Sequence, residues 1–340
     1  MTVRVPIEQM KQQFTDVLLS YGVEDSVAKT CAEVIAQNSC DGVNSHGINR
    51  FPRLIKYIES GYIDINGRPE CISSVGALEQ WDGNLGFGIY NAKTCMNRAI
   101  ALSREHGVGV VGLRNTHHWL RGGAYGWLAA SEGVVGICWT NTQPNMPAWG
   151  ATDTRLGNNP LIMAIPREDG PIVFDSAMTQ FSYGKLDQLR RAGEQLPCPG
   201  GYDSDGNITS DPAAIQETSR LLPMGYWKGA GLSLVLDLIG ALVSAGNTSY
   251  EIGKTGIEDY AVSQVFIAID PYGAGVRGHD AANQILNDAV SFVKGSARVS
   301  EHGEVRYPGE RELRTREDNL ENGVAVDAEV WDTVVSLGKQ

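Results

Sequence analysis

His106-Gly107-Val108-Gly109-Val110-Val111-Gly112-Leu113-Arg114-Asn115-Thr116-His117-His118-Trp119 is the stretch on which the fold turns. Its glycines spell GxGxxG, the fingerprint of a dinucleotide-binding turn. Such a turn must follow a strand and open a helix, so that the helix N-terminus meets the pyrophosphate. Here the order is reversed. Helical apolar spacing covers residues 90–105, and the glycines fall inside the strand-like run 108–113 that follows. About twenty positions on, no acid stands at a strand end. The match is therefore read as structural, and a Rossmann architecture is not expected.

Outward from that strand, short β-type runs alternate with helices. A helix is predicted near 124–132 and strands at 134–140, 161–165, 172–175 and 262–269. An apolar helix is predicted over 231–245, too short to span a bilayer, and others near 281–293 and 328–337. Residues 195–215 are rich in turn formers and read as an exposed loop or hairpin. Before residue 60 the pattern is purely helical: Ile7, Met10, Phe14, Val17 and Leu18; then Val27, Cys31, Val34 and Ile35; then Ile48, Phe51, Leu54, Ile55 and Ile58. Pro52 fits only near a first helical turn.

The 340 residues allow two or three domains. A net charge of −12 argues against nucleic acid or an anionic membrane as partner, since phosphate binding needs a basic footprint. The six cysteines are scattered, with no CxxC. The N-terminus has no apolar core of signal-peptide type. A reduced, soluble, cytoplasmic protein is expected.

Chemistry concentrates between the second and third helical stripes. Ser45, His46 and Arg50 lie within six residues, flanked by Gly42 and Gly47. An imidazole trades protons near neutral pH, and a guanidinium grips a carboxylate with two parallel bonds. Together they suit a small keto or hydroxy acid; the alternative is a solvated loop with a capping Ser. His117 and His118 end the central strand, where α/β proteins place ligands. They could contact a cofactor, bind metal or serve structure; no HxH or HExxH spacing accompanies them, and no metal is expected. Asp175 with Ser176 and Ala177 ends another strand. Trp227 and Lys228 open a Gly-bearing helix start suited to phosphate. Gly309, Glu310 and Arg311 form a further polar turn. No GxSxG elbow surrounds any serine.

The order SHGxxR at 45–50, HHW at 117–119, GNNP at 157–160, VFDSA at 173–177, GYWKGxGLS at 225–233 and YPGE at 307–310 resembles the type-2 malate/L-lactate dehydrogenase family, over nearly the whole chain. The resemblance implies an α/β, non-Rossmann fold with a mixed, largely antiparallel central sheet and packed N- and C-terminal helices. Residues 1–70 with 275–340 are expected to form a helical unit, and 71–274 a cofactor- and substrate-binding α/β unit. It further implies a homodimer and hydride transfer between NAD or NADP and a 2-oxo acid, with NADH the first expectation. His46 then matches the proton donor, Ser45 its relay, Arg50 the carboxylate binder and Asn158 a substrate contact where the family usually has Thr. The cofactor positions match His118, Trp119, Leu120, Arg121 and Gly122; Asp175, Ser176 and Ala177; Trp227 and Lys228; Gly309, Glu310 and Arg311. The Leu120-Arg121 pair favours the branch that reduces a diketo sugar acid. Malate, lactate or a cyclic imino acid are the alternatives within the family, and a metal-dependent hydrolase is a remote one.

Overall fold

The computed structural model describes residues 1–273, 278–301 and 303–338. Its centre is a seven-stranded sheet in the order Glu70–Val75, Leu78–Asp82, Val108–Thr116, Val262–Ile269, Val135–Thr140, Leu161–Ile165, Ile172–Ser176. Every neighbouring pair is antiparallel except Leu78–Asp82 with Val108–Thr116, which is parallel. The sheet is thus mixed and largely antiparallel, as expected.

The glycines of the central strand explain how it is covered. A Cβ on Gly109 would lie 2.1 Å from the Ala99 carbonyl oxygen, in the helix Gly88–His106. A Cβ on Gly112 would lie 2.5 Å from the Val243 carbonyl oxygen, in the helix Trp227–Ser244. Each glycine lets one helix backbone press onto one face of the strand. Gly107 takes φ +79° and ends the preceding helix, so the GxGxxG run opens no helix.

The N-terminal helices are Ile7–Ser20, Asp25–Cys40 and Phe51–Glu59. Met10, Phe14, Cys31, Ile35, Ile48, Phe51 and Ile55 form a core that Val324, Val326 and Val334 complete from the far end of the chain. A ribbon of Thr2–Val5 with Val324–Asp327 ties the two ends together. Further back, Arg167 Nη1 donates to Asn287 Oδ1 at 3.0 Å, so the helix His279–Lys294 is held by the sheet side. The division expected at residue 275 lies outside the described residues.

Several elements depart from the sequence reading, among them the strand Thr2–Val5 in a stretch read as purely helical and the strands Glu70–Val75 and Leu78–Asp82. The apolar helix begins at Trp227 rather than at residue 231, which makes it long and apolar enough to cross a membrane by length and composition. Its Asp237 is nonetheless buried and bonded to Asn141 Nδ2 at 2.8 Å and the Ser249 N–H at 2.9 Å, and Leu236 packs with Trp139 and Val265 of the sheet. Helices Tyr183–Ala192 and Glu310–Asn322 were not expected. The second is polar on nearly every side and owes its place to ion pairs rather than an apolar stripe, so periodicity cannot reveal it. Residues 195–215 do hold a hairpin, Gly201–Tyr202 with Ile208–Thr209, followed by the short helix Pro212–Thr218.

Candidate active site

The segment after Cys40 folds into two single turns of 3-10 helix, Asn44–His46 and Ile48–Arg50. Gly47 makes this possible: a Cβ there would stand 2.2 Å from Ser39 Oγ. Ser39 Oγ accepts the Ile48 N–H at 2.8 Å, and Asn38 Nδ2 donates to the His46 carbonyl at 2.9 Å. The His46 backbone is therefore pinned from the end of the preceding helix. Ser45 Oγ lies 3.1 Å from His46 Nδ1.

His118 reaches the same place from the end of the central strand. Its ring stacks on that of His46, with centroids 5.8 Å apart and planes at 16°. His118 Nδ1 accepts the Leu120 N–H at 2.9 Å, so the neutral ring carries its proton on Nε2. Burial, aided by the Arg50 and Arg121 cations, pushes His46 down to about 4. Burial pushes His118 to about 3, against the pull of Asp259. Both imidazoles are neutral at pH 7. His117 turns elsewhere: it is buried, with Nδ1 3.2 Å from the Asp259 carbonyl.

Arg50 is already engaged. Its Nη2 donates to Asp259 Oδ2 at 2.5 Å. Nε and Nη1 have no bonded partner among the described residues. Tyr57 Oη is 3.4 Å from the same Asp259 oxygen, and Glu258 stands 3.9 Å from Arg50 while pairing with Arg53. The Asp259 N–H donates to Gln143 Oε1 at 2.9 Å. Sequence reasoning missed Asp259, Tyr57 and Gln143. The only trace was the acid pair Glu258-Asp259 just ahead of a strand. Thr142, the neighbour of Gln143, donates to Asn158 Oδ1 at 3.0 Å, as does Asn145 Nδ2. Among the described residues the Asn158 Nδ2 donors have no partner. Gly184, in the first turn of the helix Tyr183–Ala192, closes against Ser45: a Cβ there would be 3.8 Å from Ser45 Cβ.

The four segments matched to a cofactor converge on the strand Ile172–Ser176. The Val173 N–H donates to the Pro308 carbonyl at 2.9 Å, with Gly309 beside it at φ +93°. Asp175 Oδ2 accepts the Gly123 N–H at 2.9 Å and lies 3.5 Å from Arg121 Nε. Past the strand, the Met224 N–H donates to the Met178 carbonyl at 2.7 Å, carrying the turn before Trp227 alongside Ser176 and Ala177.

Within these segments the side chains divide into two kinds. Trp119 is buried between Tyr125 and Phe266, Leu120 joins the N-terminal core, and Gly122 abuts Ile162. Arg121 is spent on Asp41 at 2.6 Å, and Glu310 is buried on Lys294 and Arg314. These side chains are taken up by core packing and ion pairs. Trp227, 64% exposed, and Lys228 stand free at the first turn of their helix, with the ammonium 6.0 Å from the indole centroid. Lys228 has no acidic partner among the described residues. Arg311 is exposed and, among the described residues, pairs only with Glu312 at 3.0 Å. An open indole and an unpaired cation at a helix N-terminus fit the ring and phosphates of a dinucleotide.

Residues 5–335 match the family described as malate/L-lactate dehydrogenase. The chain belongs to that family. It is 46% identical over 338 residues to a 2,3-diketo-L-gulonate reductase of Citrobacter koseri, covering 98% of this chain and 100% of the relative. Its fold superposes on a malate dehydrogenase of Entamoeba histolytica with a TM-score of 0.92 at 26% identity, over 100% of this chain and 98% of that one. A Δ1-piperideine-2-carboxylate reductase of Pseudomonas syringae gives 0.85 at 27% identity, over 98% and 99%. As a member of this family the chain is an oxidoreductase.

Proposed function

We propose that this oxidoreductase reduces a 2-oxo sugar acid, 2,3-diketo-L-gulonate first among them, with NADH or NADPH. The observation that carries the proposal is the stacked His46–His118 pair beside a guanidinium with one free edge. The full-length likeness to a diketogulonate reductase supports the substrate. A nicotinamide, when bound, supplies the hydride; Trp227, Lys228 and Arg311 would hold its nucleotide, over a floor made by His118–Gly122, Asp175–Ala177 and Gly309–Glu310.

The chain's own residues do the rest. Arg50 takes the substrate carboxylate on the edge that Asp259 leaves open, the second Nη2 N–H together with its neighbouring donor, fixing the carbonyl in place. Asn158 donates to a neighbouring oxygen. As the carbonyl oxygen gains negative charge, His46 Nε2 gives it a proton, and Ser45 Oγ steadies Nδ1. The Arg50 charge opposes protonation of His46. An incoming carboxylate neutralises that charge, so substrate binding raises the proton affinity of the imidazole that must donate. The departed proton is restored from solvent after the product leaves.

Residence in the cytoplasm and a homodimeric assembly belong to the same proposal. An apolar face on the helix Trp227–Ser244, with Leu234, Val235, Leu238 and Leu242 exposed and Leu242 at 79%, supports burial against a second copy. The test is a panel of 2-oxo and cyclic imino acids with NADH and NADPH, followed by loss of nicotinamide absorbance. Fastest turnover of an imino acid or of oxaloacetate would move the assignment to another branch, and none at all would sink it.

A further inference from the structure

Asp259 is a candidate that neither the motif order nor the family likeness picked out. Its side chain is only 7% exposed, against 20% for Arg50. Its backbone is held on both sides: the N–H by Gln143 Oε1 at 2.9 Å, the carbonyl against His117 Nδ1 at 3.2 Å. It takes φ +59°, a left-handed conformation that side chains other than glycine rarely adopt, and Ala261 beside it takes φ +52°. Strained backbone of this kind persists only where the surroundings over-determine it. The carboxylate is thus a fixed object, and Arg50 is the flexible partner laid against it.

The pairing is one-sided. Only Nη2 of Arg50 meets Oδ2, at 2.5 Å. A pair that served stability alone would use the fork fully, as Arg316 does on Asp41 with Nε at 2.7 Å and Nη2 at 2.9 Å. Here the remaining donors stay open toward a half-buried site. A second acid waits close by: Glu258 is 3.9 Å from Arg50 and already holds Arg53. Without Asp259, the guanidinium would fall to Glu258.

We propose that Asp259 is a positioning residue for substrate capture: it anchors one edge of the Arg50 guanidinium so that the other edge faces the carboxylate of the 2-oxo acid. The inference rests on Arg50 being the carboxylate binder. It deepens that reading by naming what orients the clamp. The groups facing the Asp259 carboxylate are Arg50 and Tyr57 by direct contact, with Arg53 and His118 nearby.

The experiment compares wild type, Asp259→Ala, Asp259→Asn and Arg50→Ala on the best 2-oxo acid and its methyl ester. Asp259→Ala is expected to raise KM for the acid about tenfold, the scale of one charge-assisted hydrogen bond. For the ester, and for NADH, KM should stay within about twofold. Asp259→Asn keeps an oxygen acceptor at the same place and should restore acid KM to within about threefold of wild type. Equal losses on acid and ester, a fall in acid KM, or no rescue by Asn would overturn the proposal. Should Asp259→Ala fail to fold, Gln143→Ala, which frees the Asp259 N–H, is expected to raise acid KM about threefold and leave ester KM alone; equal effects overturn it equally. Arg50→Ala separates the two readings. If it does not discriminate acid from ester, the carboxylate-clamp reading falls; if it does and the Asp259 variants do not, only this inference falls.

Discussion

Arg121 Nη1 donates to Asp41 Oδ2 at 2.6 Å, with both side chains buried. Asp41 caps the helix that leads into Ser45 and His46, and Arg121 follows His118 in its loop. The pair therefore holds the two imidazole-bearing segments against each other, and Arg316 joins from the helix Glu310–Asn322 with two further bonds to Asp41. Asp41→Ala leaves the buried Arg121, among the described residues, with Asp175 alone, at 3.5 Å. Removing one partner of a buried pair costs about 3–5 kcal/mol, because the other charge stays buried. Urea unfolding at pH 7 should show that loss. A loss below about 1 kcal/mol, the surface-pair range, would show that Arg121 finds water instead.

Gly109→Ala tests the decoy reading of GxGxxG. The new Cβ would meet the Ala99 carbonyl oxygen at 2.1 Å, and that oxygen is backbone, not a side chain that can swing away. Overpacking of this kind costs about 1–3 kcal/mol. The melting temperature should fall while NADH affinity in the surviving folded enzyme holds. Lost NADH affinity with an unchanged melting temperature would return the glycines to the cofactor.

The strands and helices with a buried stripe could be read from residue spacing. Val262–Ile269 and Ala328–Leu337 stand where periodicity put them. The edge strand Glu70–Val75 could not, since all six of its residues are exposed and no alternation marks a face. In the site, Ser45, His46 and Arg50 were legible because they are close in sequence. Asp259 lies 209 positions from Arg50, and nothing local distinguishes it from a surface acid. The segments holding Trp119, Arg121 and Glu310 were legible by resemblance. That their side chains turn into core and ion pairs was not, because burial belongs to the fold. Sheet order likewise follows from long-range pairing that no short window contains.

Arg50→Lys should be costly for acids, because an ammonium cannot serve Asp259 with one edge and a carboxylate with the other. The expected loss in kcat/KM is roughly ten- to hundred-fold on a 2-oxo acid. The matching ester should be nearly indifferent, as should NADH binding. Comparable losses on acid and ester would make Arg50 a structural residue.

His46 couples stability and turnover to pH, and the sign differs between the two. Burial pushes it from 6.5 to about 4 in the folded chain. Between those values the unfolded state binds more protons than the folded one. The contribution of the neutral, half-buried ring to stability is therefore complete above pH 6.5 and is lost as pH falls toward 4. His46→Gln removes this titration. Relative to wild type, the variant should gain stability on going from pH 7 to pH 4. Turnover runs the other way if His46 is the proposed proton donor, since reduction then needs the protonated ring. Wild-type kcat/KM for reduction should rise as pH is lowered from 8 toward about 5, until unfolding intervenes. In His46→Gln that rise should flatten, with kcat down about 10²–10⁴-fold, the usual worth of a general acid. A variant that kept the wild-type pH profile at near wild-type turnover would hand the proton to another group, and His118, stacked 5.8 Å away, would be the first to replace in turn.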